Sequence, residues 1–354
     1  MKRIVFFSII LLLVSLATLA QDPLYSQFYY APLHTNPAFT GMMRNNFRVA
    51  GITRMQWTRL SQPFIYSSFS LDKHLQGPQA ALGFSFNHFS EGYLRTTGAY
   101  FSMARNFGNR TDECYDLFIN TSIQLGWVFK GLNKEKLLFS DQLDETQGIL
   151  GISSEAEILN QPNQNYWDFN AGIIATWRNW CFGSALHHIN RPHDGLGGSS
   201  RSSKLPMRLT AHLSYTSERE FDQALIVKPT MMVNVQGKGS SISFGTLVDF
   251  PQYFIELGVW YRHNADLGGN NSHSISAGLN LRLGDWKGAY NNGLDKRYRI
   301  GSSMDAYLYN PTGRHTGASY ETGGFYDGRS PSEGYEGDCP WPWQCYTKFP
   351  WQFF

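Results

Sequence analysis

Few residues in this chain have the types and spacing that chemistry needs. Asp141, Asp144 and Glu145 lie together in FSDQLDETQG, but their spacing matches no EF-hand loop and reads as a solvated loop. His187 and His188 are adjacent, with His193 close behind. Neighbours on a strand point to opposite faces, so the first two are not expected to share a metal ion. Asp249 and Glu256 alternate with small or polar residues, as lumen-lining groups would, rather than as an acid/base pair. No Gly-x-Ser-x-Gly, His-Glu-x-x-His or P-loop occurs. The expectation is no catalytic residue, no cofactor site and no metal site. Cys114, Cys181, Cys339 and Cys345 leave three disulfide connectivities open; Cys339 and Cys345 enclose a short loop and are plausible partners.

Composition points the same way. The formal net charge is +2, so no basic footprint for nucleic acid exists. Charged residues are 16%, below the roughly 25% of soluble domains, while aromatics reach 15% and glycines number 34. That mixture disfavours both an ordinary soluble enzyme and a disordered chain. Residues 1–20 combine Lys2 and Arg3, the apolar run Ile4–Leu16 and small residues before Gln21, which predicts a secretory signal peptide. No later window is apolar enough for a membrane helix. A closed β-barrel can still cross a membrane, because its strands satisfy every backbone group without long apolar runs.

The elements that must position any function therefore have to be strands, and the sequence alternates accordingly. In 273–283, Ile275, Ala277, Leu279, Leu281 and Leu283 oppose Ser274, Ser276, Gly278, Asn280 and Arg282. In 207–215, Met207, Leu209, Ala211, Leu213 and Tyr215 oppose Arg208, Thr210, His212 and Ser214. Residues 167–177 set Trp167, Phe169, Ala171, Ile173, Ala175 and Trp177 against Asp168, Asn170, Gly172, Ile174 and Thr176. The two Trp fall where a strand would enter and leave the headgroup zones. Residues 79–88 alternate likewise, with noisier runs at 47–58, 62–72, 94–106, 115–130, 180–188, 224–236, 239–249 and 252–262. This predicts an all-β fold: a transmembrane antiparallel β-barrel of about 12–14 strands, twelve of them explicit.

The longest connections, 131–166, 189–203 and 263–272, all follow odd-numbered strands and so share one end of the barrel. Connections of the other parity include Arg178-Asn179 and Pro251 alone. Short periplasmic turns and longer extracellular loops are the outer-membrane pattern. The expected organisation is a signal peptide at 1–20, a periplasmic leader at 21–46, the barrel at 47–284 and a Gly/Tyr/Trp-rich periplasmic extension at 285–354. The Trp-Pro cluster of that extension is expected to dock on a partner or plug the barrel from below.

Leu24-Tyr25-Ser26-Gln27-Phe28-Tyr29, Pro32-Leu33 and Asn36-Pro37-Ala38-Phe39-Thr40-Gly41 resemble the opening of the PorP/SprF family. Phe47-Arg48-Val49, Gln56-Trp57, Ser68–Lys73, Leu138–Asp144 and Gly258–Arg262 add to the resemblance, which spans roughly 21–283. It implies an outer-membrane barrel of Bacteroidota associated with type IX secretion and gliding motility, often with delivery of surface adhesins. It implies as partners outer-membrane lipid, the periplasmic and outer-membrane secretion components, and secreted surface cargo. It also implies about 14 strands, so either this barrel is smaller or weak strands lie within 285–330. The alternative functional class is a small-solute channel of the porin kind, and a weaker one is a secreted soluble β-protein.

Overall fold

The computed structural model describes residues 22–43, 47–58, 60–75, 79–111, 114–133, 143–144, 148–149, 162–196, 204–217, 225–250, 253, 255–266, 271–283, 297–309 and 318–328. Its strands, in chain order, are β1 (Phe47–Gln56), β2 (Phe64–Leu75), β3 (Ala80–Glu91), β4 (Leu94–Thr111), β5 (Cys114–Leu132), β6 (Leu143–Asp144), β7 (Gly148–Ile149) and β8 (Asn163–Trp177). They continue with β9 (Trp180–His187), β10 (Arg208–Tyr215), β11 (Ile226–Gln236), β12 (Gly239–Phe250), β13 (Ile255–Asp266), β14 (Ser272–Leu283), β15 (Arg297–Tyr309) and β16 (Ala318–Gly328). β6 and β7 form a separate two-stranded hairpin. The other fourteen described strands pair with their sequence neighbours, all antiparallel, and β1 pairs with β16 to close the barrel.

All twelve explicit runs are strands, each on one barrel position. The barrel boundary expected at 284 moves to 328, because β15 and β16 complete the ring. Their Gly, Ser and Tyr content reads in the sequence as an extension. Residues 329–354, with Cys339, Cys345 and the Trp-Pro cluster, lie outside the described residues, as do the predicted signal peptide and Asp141 and Glu145.

The alternation puts apolar side chains outside. Ile123 is 69% exposed and Val259 54%, while Asn120, Asp168, Glu256 and Asn280 are each 0% exposed. A water-soluble sandwich would bury the first set; a surface of this kind fits hydrocarbon. Leu209, Phe169, Ile173, Ile275, Leu279 and Leu281 sit on the outer face, and Asn170, Arg208, Thr210, His212 and Lys228 on the inner one. The side chain of Arg282 is outside the described residues. Trp127 and Trp167 pair outside near one rim, 4.7 Å between ring centroids, and Trp180 meets Tyr215 near the other at 4.8 Å.

Connections 133–162, 188–207 and 267–271 leave the barrel at one end, termed the loop end. The opposite turn end carries the two-residue connections 112–113 and 178–179, together with the start of β1 and the finish of β16. Connections 216–225 and 284–296 are the long exceptions there.

Candidate functional site: a filled lumen

A barrel of this size encloses space that polar walls alone do not fill. Residues 22–43 fill it. The sequence reading makes this segment a periplasmic leader; instead Tyr30, Leu33, Asn36, Ala38, Phe39 and Thr40 are 0–1% exposed, and the segment's helices pack on β16, β1–β5, β8 and β9. Of its one-turn helices, Phe28–Tyr30, Pro32–Thr35 and Pro37–Phe39, the second and third start at prolines and the third is capped by Asn36. Pro32 and Pro37 suit first helical positions, where no amide hydrogen is needed. The Asn36 side chain accepts from the Ala38 amide at 2.9 Å and donates to the Ile173 and Ser184 carbonyls of the wall, both at 3.3 Å.

The path doubles back. Asp22 lies at the loop end, where its amide donates to Gln236 at 2.7 Å. The chain descends past Ser26 and Gln27 to Tyr29, which bonds Asn280. It returns toward the loop end, where Arg208 donates to the His34 carbonyl at 3.3 Å. It then runs to the turn end, where the Gly41 amide donates to Asp72 at 2.8 Å. Two glycines permit this fit. A Cβ on Gly172 would sit 2.1 Å from the Asn36 oxygen, and Gly41 has φ +75° at a position where a Cβ would meet that of Ala81 at 2.1 Å.

Charges on the wall hold the segment. Arg48 meets Asp72 along one edge through two hydrogen bonds, both 3.0 Å, and donates to the Phe39 and Met42 carbonyls at 2.9 and 3.2 Å. Glu321 of β16 accepts from the Ser26 and Gln27 amides at 2.6 and 2.8 Å and pairs with Arg54 of β1 at 3.3 Å. Arg54 also reaches the Leu24 carbonyl. Arg262 donates to the Tyr25 carbonyl at 2.9 Å. Asp249 and Glu256 do line the lumen, directly opposite in register, with Lys228 at 3.8 and 3.7 Å from them. An apolar patch of Tyr25, Tyr29, Tyr30, Ile52, Leu247 and Trp260 packs where the segment turns.

The histidines correct the sequence reading. His187 ends β9 with its side chain inward, but His188 lies beyond the strand with φ 57°, so the opposite-face rule no longer applies. Both are buried, with rings 6.4 Å apart. Among the described residues no group of three or more His, Cys, Asp or Glu is placed to hold a metal ion. His188 instead sits between carboxylates, Nδ1 to Asp168 at 2.9 Å and Nε2 to Asp22 at 2.7 Å. Burial pushes its imidazole down, but Asp22 and Asp168 outweigh that and raise it to about 9. Burial likewise opposes the Asp22 charge, yet His188 and Arg208, 3.1 Å away, hold that carboxyl well below the usual range. Beside this cluster a cavity of about 110 Å3 remains at the loop end, lined by Tyr100, Lys130, Tyr166, Asp168, Asp194 and Arg208 among others. His193 joins Lys204 in an isolated bridge of the neighbouring loop. Cys181 is buried as a free thiol. The lumen segment is the functional element that periodicity misses, since a segment of single turns has no period.

Three solved structures show what the fold is similar to. The Acinetobacter baumannii outer membrane protein Omp33 is 8% identical, covering 81% of this chain and 100% of its own, with a TM-score of 0.42. The CymD monoaromatic hydrocarbon channel is 13% identical, with coverage of 84% and 92% and a TM-score of 0.49. A TodX monoaromatic hydrocarbon channel mutant is 12% identical, with coverage of 85% and 94% and a TM-score of 0.47. No curated protein sequence matches. The family model described as type IX secretion system membrane protein PorP/SprF matches residues 17–325, which include the lumen segment and every barrel strand up to β16, and the chain belongs to that family.

Proposed function

We propose that this protein is a non-enzymatic outer-membrane component of the type IX secretion and gliding machinery in a Gram-negative bacterium of the Bacteroidota. In this reading residues 1–20 are removed as a signal peptide, the turn end faces the periplasm and the loop end faces outside. The barrel supports export or surface delivery of cargo such as adhesins, with periplasmic and outer-membrane secretion components as its partners. The observation that carries this reading over a small-solute channel is the lumen. Residues 22–43 occupy it and are pinned at both ends, by Asp22 on His188 and by Gly41 on Asp72. A solute pore needs a continuous aqueous path, whereas an anchoring or escorting barrel does not.

The test is deletion of the gene followed by a census of secreted and surface-exposed proteins. Loss of a defined set of surface proteins, restored by the wild-type gene, is the expected result. An unchanged census together with rapid solute flux into liposomes carrying the purified protein would favour the channel instead.

A further inference from the structure

We infer that His188 and Arg208 form a carboxylate-binding site at the loop-end cavity, and that Asp22 occupies it as an internal ligand which an external carboxylate can replace. The donors are built and buried. Arg208 is 3% exposed and His188 8%, and both line the 110 Å3 cavity. Asp168 grips the far nitrogen of His188 at 2.9 Å, which fixes the ring so that Nε2 points at the Asp22 carboxylate. Lys130, also on the cavity wall, is matched by Asp194 at 2.9 Å and is not needed for the anion.

Arg208 is underused. Its Nη1 lies 3.1 Å from the Asp22 oxygen, but neither Nη1 nor Nε makes a hydrogen bond. Buried guanidinium donors are rarely left unspent, and the edge that Nη1 forms with Nη2 can take a carboxylate through two parallel bonds. Asp22 approaches Nη1 without a hydrogen bond, and its own amide donates to Gln236 at 2.7 Å. The cavity has room for one more carboxylate on a short stem, either a small free acid or the end of a polypeptide.

This deepens the lumen reading, but its test measures binding and not export, so each can fail alone. Purified full-length protein in detergent is titrated calorimetrically with acetate, with diglycine and with diglycine amide. Asp22 is tethered, and a tethered competitor acts at an effective concentration of millimolar or more. Asp22→Asn should therefore bind carboxylate at least about tenfold more tightly than wild type, about 1.4 kcal/mol. Adding Arg208→Gln should abolish that gain, and Arg208→Lys, which keeps the charge without the fork, should remove most of it. Heat-modifiable migration checks the folding of each variant. Acetate binding alone identifies a small acid as the ligand type; diglycine binding lost in the amide identifies a chain terminus. The inference is overturned if Asp22→Asn binds no more tightly than wild type, or if the double variant binds as Asp22→Asn does.

Discussion

Removing the Arg48–Asp72 pair whole should cost far less than the sum of breaking it from each side. Arg48 is 6% exposed at its side chain and Asp72 0%, and the two share two contacts of 3.0 Å. Asp72→Asn leaves a buried guanidinium without a compensating charge, for which about 3–5 kcal/mol is typical. It also weakens the acceptor that holds the Gly41 amide. In Arg48→Met with Asp72→Leu no charge is stranded. What remains is the Gly41 amide and the Met42 carbonyl without their partners, about 1–3 kcal/mol each, while the Phe39 carbonyl keeps the Met42 amide. The double variant should thus cost no more than Asp72→Asn and far less than its two single substitutions summed. Urea titration of the barrel refolded in detergent measures this, with protease access to residues 39–46 as a local readout. If the double variant is as unstable as the sum of its singles, the pair does not fasten the segment to the wall.

Other outcomes follow from the same geometry. Glu321→Ala should release residues 24–30 to protease while β1–β16 pairing persists, read as heat-modifiable migration with early cleavage; unchanged protection argues against the latch. Leu279→Arg places a charge in hydrocarbon and should cost about 2–4 kcal/mol. Asn280→Arg should also destabilise, because Asn280 is 0% exposed and bonded to Tyr29. Only the second cost should shrink when Tyr29→Phe removes the hydroxyl that Asn280 bonds, as melting of the four variants will show. Seating of residue 22 should also depend on pH. His188 is raised, so its contribution is complete below about pH 6.5 and lost as pH passes about 9. Asp22 is lowered, so its contribution is present above about pH 4 and lost on acidification. Hydrogen exchange of residues 22–27 should be slowest between these limits, and in His188→Gln the alkaline arm should vanish. Asp168, Arg208, His34 and His187 face the cluster and are the same residues in both proteins.

The barrel was legible because lipid outside and polar groups inside impose a period of two, as in β8 with Phe169 and Ile173 opposing Asp168 and Asn170. β15 and β16 were hard to read because serine and glycine at Ser302, Ser303, Gly323 and Gly324 blur the contrast on which alternation depends. The lumen segment left a different trace. Tyr25, Phe28, Tyr29 and Tyr30 are many rings for a solvated leader, and Arg48, Asp72, Glu256 and Arg262 are many charges for a wall facing only water. Taken together, those excesses pointed to one another. His188 escaped because its placement depends on where β9 stops, and strand ends are the least regular part of the pattern. The Arg208–Asp22 contact joins positions far apart in sequence, and no local rule connects them.

The contact of Glu321 with Ser26 and Gln27 joins residues 295 and 294 positions apart. Hairpins between neighbouring strands form early because little chain entropy is lost, while the most distant pairing comes last. Here the last strand brings the carboxylate that the first segment needs, and Arg54 on the first strand meets it too. The amino-terminal segment thus serves as a mandrel around which the ring is drawn shut. Closure and filling become one event, so a chain that inserts with its mandrel missing should stall as an open, edge-exposed sheet.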